Sequence, residues 1–124
     1  MATGKFTLKH GLKIGDDFLK KVTIKSSLTA GEIFDASEAA EKITVVGEGE
    51  NEEPVFVMSP TLMAAETLCR QIVCIDDLQG PLSLKQLRSL DEEDLQMLNR
   101  AADVMQKMKV SKEVARRGRS DSAA

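Results

Sequence analysis

Tryptophan and tyrosine are absent from the 124 residues, and Phe6, Phe18, Phe34 and Phe56 are the only aromatic side chains. A platform for stacking nucleobases needs several aromatics on one surface, so this composition argues against single-strand nucleic-acid binding. The core has to be built from Leu, Ile, Val, Met and Ala. There is one histidine, His10, so any Ser-His-Asp or Cys-His nucleophile pair would have to use it. It stands in a lysine-rich stretch and reads as a surface strand residue. The two cysteines, Cys69 and Cys74, are five apart on what reads as one helix. At roughly 100° per residue they face different sides, beyond disulfide reach, so reduced, partly buried thiols are expected. One histidine and two such cysteines do not complete a zinc tetrad. Neither a catalytic residue nor a metal or cofactor site is expected. No apolar run approaches the length of about 18 residues that a membrane-spanning helix needs, and MATGKFTLKH lacks the apolar core of a signal peptide.

Charge is balanced overall and uneven locally. The net charge is −3 and the pI about 5.2, which does not suit a whole-surface nucleic-acid binder. Residues 5–25 carry six lysines against Asp16 and Asp17. The stretch Glu48 to Glu53 carries four glutamates and no base. It lacks the alternating ligands and central glycine of a calcium loop. Gly47-Glu-Gly-Glu50 would repel a phosphate and is followed by no G-K-[ST]. The last residues bring Lys112, Arg116, Arg117 and Arg119.

Phe6, Leu8, Leu12 and Ile14 share even positions, and so do Phe18, Val22 and Ile24. This period of two predicts a hairpin turning at Gly15-Asp16-Asp17, with Gly11 as a bulge. Thr29-Ala-Gly-Glu32 fits a capping box. The helix after it is expected to send Ile33, Phe34, Ala36, Ala40 and Ile43 to the core. Ile43 to Val46 and Val55 to Met58 read as a second hairpin with the acidic stretch at its tip. Ser59-Pro60 starts a helix that the apolar pattern carries to about Ile75. Ser83 to Gln86 is a further capping box, leading to a short helix with Leu84, Leu87 and Leu90. Asp91 caps a last helix whose Glu92, Glu93 and Asp94 suit the helix dipole. Capping explains these acids without paired-carboxylate chemistry. The expectation is a small single α+β domain over 1–110. It has N-terminal antiparallel β-hairpins packed against a C-terminal set of three helices, and a disordered basic tail over 111–124.

The last helix is the physical candidate for function. Met97, Met105 and Met108 are flexible and polarisable, which suits a surface that accepts varied apolar partners. A Leu/Met stripe more often packs on its own core, and Leu95, Leu98 and Ala102 are expected to do so. The last two helices would also form one wall of a groove for an amphipathic helix. Leu87 and Leu98 therefore join Met97, Met105 and Met108 as the candidate partner-binding residues.

Taken in order, these segments form a pattern. The lysine-rich hairpin leads to Leu28-Thr-Ala-Gly-Glu-Ile33, then to a variable acidic insert and a Leu/Ala/Cys/Ile-rich helix. Next comes Leu84-x-x-Leu87-x-x-Leu90-Asp91-x-x-Asp94-Leu95-x-x-Leu98. Residues 6–108 resemble the tail assembly chaperones of Mu-like and P2-like contractile-tailed phages. That resemblance implies a non-enzymatic protein of the infected host's cytoplasm. It would bind the tape measure protein until tail tube subunits polymerise around it, and be absent from the mature virion. It also implies contact with the tail tube protein and a longer form of the chain made by frameshifting. Self-association is expected separately, since exposed apolar helices often pair, although no heptad run is long enough for a coiled coil. Two other readings compete with it. One is a small nucleic-acid-binding regulator using the Lys-rich hairpin and Arg-rich tail. The other is a minor structural component of the tail.

Overall fold

The computed structural model describes residues 2–123, without the side chains of residues 112, 113 and 115–123. The chain opens on the expected hairpin, β1 (Thr3–Ile14) paired antiparallel with β2 (Asp17–Lys25). Its register breaks once. From Thr7↔Lys21 to Leu12↔Leu19, β1 advances five residues while β2 advances two. Gly11 sits in this bulge at φ +91°, where an added Cβ would lie 2.9 Å from Leu19 O. An odd offset exchanges the faces of one strand. Past the bulge Leu19 therefore packs on the core, and Phe18 is exposed, contrary to its even position.

Helix α1 (Ala30–Ala39) starts at the expected box. Glu32 N donates to Thr29 Oγ1 at 3.2 Å, and Thr29 N donates to Glu32 Oε1 at 3.0 Å. It packs on α2 through small residues, and of its expected core set only Ala36 and Ala40 are buried; Ile33, Phe34 and Ile43 are exposed. Strands β3 (Glu41–Val46) and β4 (Glu53–Met58) form the second hairpin, with a 3-10 turn at Gly49–Asn51. Ser59 then caps α2 (Pro60–Gln71), accepting from Leu62 N at 3.3 Å.

Here the structure departs from the sequence pattern. Helix α2 ends at Gln71, and Ile72–Ile75 is a strand, β5, paired antiparallel with β2. Asp76-Asp77 is a hairpin turn into β6 (Leu78–Gln79), with Asp76 at φ +48°. Asp76 Oδ2 accepts from Lys20 N at 3.0 Å and fastens that turn to β2. The main sheet is thus four-stranded, in the order β1-β2-β5-β6. Helix α3 (Leu84–Arg88) has its capping box, and α4 (Glu92–Ala123) follows. Asp91 Oδ2 accepts from Glu93 N at 3.0 Å, as a cap does.

The class is α+β as expected, a small single domain. Among the described residues there are four α-helices: α1 lies between the first two hairpins, where the capping box placed it, and three follow them. The backbone of α4 continues as helix through Ala123, past the expected domain end at 110. Most of the 111–124 stretch, including its basic residues, lies outside the described side chains. The core joins Leu8, Leu12, Val22 and Ile24 of the sheet to Leu68 and Cys69 of α2 and to Ile72 and Ile75 of β5. Leu98, Ala101 and Met105 of α4 close it.

Candidate partner-binding surfaces

Helix α4 is held against β1 by one carboxylate. The bulge takes three successive N–H groups of β1 out of the ladder, and all three point at the side chain of Asp94. Lys9 N donates to Oδ1 at 2.8 Å and Gly11 N to Oδ2 at 2.8 Å. His10 N lies 3.2 Å from both oxygens. Asp94 is fully buried. Burial pushes its carboxyl pKa up, but the three donors more than reverse this and hold it below the ordinary value. The sequence marked Asp94 only as a first-turn acid. Its partner is a glycine-containing bulge in the first strand, and no local pattern links the two.

Around this clasp lie exposed charges. Lys9 Nζ meets Glu93 Oε2 at 2.8 Å. His10 Nε2 lies 3.4 Å from Asp91 Oδ2 and 3.7 Å from Glu93 Oε1. His10, Asp91 and Glu93 are the described residues whose donor atoms come close enough to hold a cation together. All three are exposed, and Glu93 already pairs with Lys9. His10 is a surface strand residue facing the carboxylates of Asp91 and Glu93.

The thiols are free. Burial beside Glu66 pushes the Cys69 pKa up to about 11, and a thiolate is the reactive form. In a thiol titration of the folded chain at about pH 8, Cys69 is expected to stay silent and to react only after denaturation. Rapid modification of both thiols in the native state would contradict its place in the core.

The five candidate partner-binding residues separate. Leu98 and Met105 are wholly buried core residues, and Leu87 is nearly so. Met105 Sδ comes so near Gly4 of β1 that a Cβ there would lie 2.7 Å from it. Leu98 and Met105 face inward because they, with Asp94 and Ala101, lie on the stripe that α4 turns to the sheet; Leu87 faces inward from α3. As free contact residues they are corrected, although Leu87 still backs the groove described next. Met97 is half-buried against the core, and Met108 remains 48% exposed. Val104, which the sequence reading passed over, is also exposed. Met97, Val104 and Met108 are spaced i, i+7, i+11, which puts them along one flank of α4.

A groove of about 420 Å³ runs between α2, α3 and α4. Ala64, Ala65 and Leu68 line one wall, Leu84 and Leu87 the second and Leu95 the third, with Thr61, Arg88 and Asn99 also lining it. The small alanines leave room for an incoming side-chain row. Away from this groove, β3 and β4 form an arm, exposed at every residue but Val55.

These features define a small α+β protein with an apolar groove and an exposed β-hairpin arm. The chain belongs to the tail assembly protein gp41 family of Mu-type phages, whose family model matches residues 8–119. It is 39% identical over 119 residues to the Mu-like prophage FluMu protein gp41 of Haemophilus influenzae, covering 96% of this chain and 90% of that one. It is also 39% identical over 106 residues to the probable tail assembly protein gp41 of Escherichia phage Mu, covering 82% of this chain and 70% of that one. The same phage's probable tail assembly protein FS-gp41 matches equally well, and the chain spans 54% of its length. No solved structure matches the chain. The resemblance to phage tail assembly proteins is thereby established, and with it a role in tail assembly. Among the described residues no helix is long and apolar enough to cross a membrane.

Proposed function

We propose that this chain is a non-enzymatic chaperone of tail assembly that binds the tape measure protein in the cytoplasm of the infected cell. It holds an amphipathic helical segment of that protein until tail tube subunits enclose it, and it stays out of the finished particle. The observation that carries this reading is the α2–α3–α4 groove. Its leucines and alanines match the apolar row of one helix face, and the polar residues along it suit that helix's flanks. The high pKa of Cys69 and the placement of His10 agree with a binding role. A nucleic-acid reading is weakened at the hairpin, where two of the six lysines are paired, Lys9 with Glu93 and Lys25 with Glu32 at 2.6 Å.

The test is co-expression with overlapping segments of the neighbouring tape measure protein, followed by pull-down. One segment is expected to be retained. Ala64→Arg fills the groove from an exposed position and is expected to weaken retention at least about tenfold with the fold intact. Retention lost on Met108→Asp but not on Ala64→Arg would move the contact to the flank of α4. Failure to retain any segment would remove the chaperone reading.

A further inference from the structure

Strand β1 ends the main sheet on one side, and the edge it presents is open over residues 3–7. Ser26 N donates to Ala2 O at 2.9 Å, so these two form a hydrogen-bonded pair beside the first register pair of β1 and β2. Such pairs alternate along antiparallel strands, which makes Gly4 with Ile24 and Phe6 with Val22 the next two. The N–H and C=O groups of Thr3, Lys5 and Thr7 therefore point away from β2, where the sheet has no further strand. Further along, the N–H groups of Lys9 to Gly11 are closed off by Asp94. The open edge is thus about 17 Å long.

The two sides of that edge differ. Below it runs α4, which packs mainly on β1, while α2 leads into β5. Leu95 and Asn99 of α4 turn to α2 and α3. Met97, Val104 and Met108 stand on the opposite flank, which therefore looks out past the β1 edge. Val104 and Met108 are 47% and 48% exposed. Above the edge, on the sheet face away from the helices, Lys5 and Lys21 alternate with Thr7 and Thr23 around a hollow of about 600 Å³. Neither lysine has an ion-pair partner among the described residues. Asp76 and Asp77 line the hollow from its β5 side, away from the edge.

We propose that the β1 edge takes up, as an added strand, an extended segment of another protein whose side chains alternate between acidic and apolar. Main-chain hydrogen bonds to Thr3, Lys5 and Thr7 hold it, the mode by which open sheet edges bind peptides. At the usual strand spacing of about 4.8 Å, the new strand lies over the outer flank of α4. Its downward side chains cover Val104 and Met108, which calls for apolar residues. Its upward side chains stand opposite Thr3, Lys5 and Thr7, and an acid opposite Lys5 makes a favourable cross-strand pair. The charge of the occupant follows from the register. Lys5 pairs with Thr23 and Lys21 with Thr7, so the two lysines sit on a diagonal of one face and repel until an anion joins them. The same charge disfavours a second copy, because antiparallel pairing of two such edges about Lys5 sets lysine against lysine. A nucleic-acid strand would supply phosphates for the lysines, but neither a row of N–H groups for the open carbonyls nor an apolar row for the flank. The inference does not rest on the groove reading.

The test titrates the full chain into a fluorescein-labelled peptide of alternating glutamate and valine, about eight residues long to span the edge, and follows anisotropy. A lysine–valine peptide is the control. Saturable binding of the acidic peptide is expected at roughly 10–100 µM. Amide exchange should slow at Thr3, Lys5 and Thr7 and stay as it was at Gly4 and Phe6. Lys5→Glu and Val104→Glu, both at exposed positions, are each expected to weaken binding at least about tenfold with the melting temperature unchanged. Lys5→Glu should in turn admit the lysine–valine peptide. Ala64→Arg should leave the acidic peptide bound, so a failure of the groove reading would not carry over to the edge. Absence of binding up to about 1 mM, equal binding of the control, or binding that survives both glutamate substitutions would each overturn the proposal. So would a single-stranded oligonucleotide that binds, and is lost on Lys5→Glu, where the peptide does not; the face would then belong to nucleic acid.

Discussion

Asp94→Ala is expected to cost about 3–5 kcal/mol of unfolding free energy, since hydrogen bonds to a charged group contribute about 1.5–3 kcal/mol each and buried donors left empty add their own penalty. Domains of this size are stable by only about 5–15 kcal/mol, so the melting temperature should fall by roughly 10–20 °C. The reason is geometric. The bulge of β1 needs an acceptor for the N–H groups of Lys9, His10 and Gly11, and the carboxylate of Asp94 is the one supplied. Asp94→Asn should be milder yet still harmful, because one oxygen is replaced by a group that cannot accept. Acid should act through the same contact. The folded-state pKa of Asp94 lies below its ordinary value. Its stabilisation is therefore present in full above the unfolded pKa, near about 3.9, and is lost as pH falls through the lower folded value. Unfolding free energy measured by denaturant titration should drop for the native chain below about pH 4, and less steeply for Asp94→Ala. Equal acid sensitivity in both would mean that other carboxylates govern that limb.

Leu98→Ala should destabilise by about 3–5 kcal/mol, the range for a leucine whose loss leaves a cavity that neighbours cannot fill. Leu98 is wholly buried in the cluster with Leu8, Leu12 and Met105. If the variant is studied well below its melting temperature, capture of a tape measure segment should be nearly unchanged. That pairing of outcomes distinguishes a core residue from a contact residue. A large loss of capture without loss of stability would return Leu98 to the binding surface.

Signals that act within a few residues were legible. Thr29 with Glu32, Ser83 with Gln86, and Ser59 before Pro60 each set a helix start that the structure contains. The first hairpin followed from alternation and the second from two short β-branched runs. The apolar run Ile72 to Ile75 continued the face of α2 and fits a buried strand equally well. Its pairing with Val22 to Ile24 decided the matter, and that partner is remote in sequence. The position of Phe18 failed for a related reason. Gly11 was recognised as a bulge, but a bulge's offset sets which face comes next, and an offset cannot be counted from one strand.

The surfaces were less legible than the fold. Met105 and Met108 look alike in sequence, three residues apart on one stripe, yet one meets Gly4 and the other is half exposed. Which of them a partner can touch depends on where β1 ends its cover of α4. The arm's strands were read correctly, but its exposure was not, because a β-branched run reports a strand and not what lies over it. Family membership supports the tail assembly role.

The clasp at Asp94 also sets a timetable. Lys9 N and its acceptor are 85 residues apart, so the first strand leaves the ribosome long before the helix that completes it. At roughly 5–20 residues per second this interval is about 4–17 s. During that time three amides of the first strand have water alone as partner. Any chain released before residue 94 keeps them so, and only a chain carried past that point can seal its opening strand.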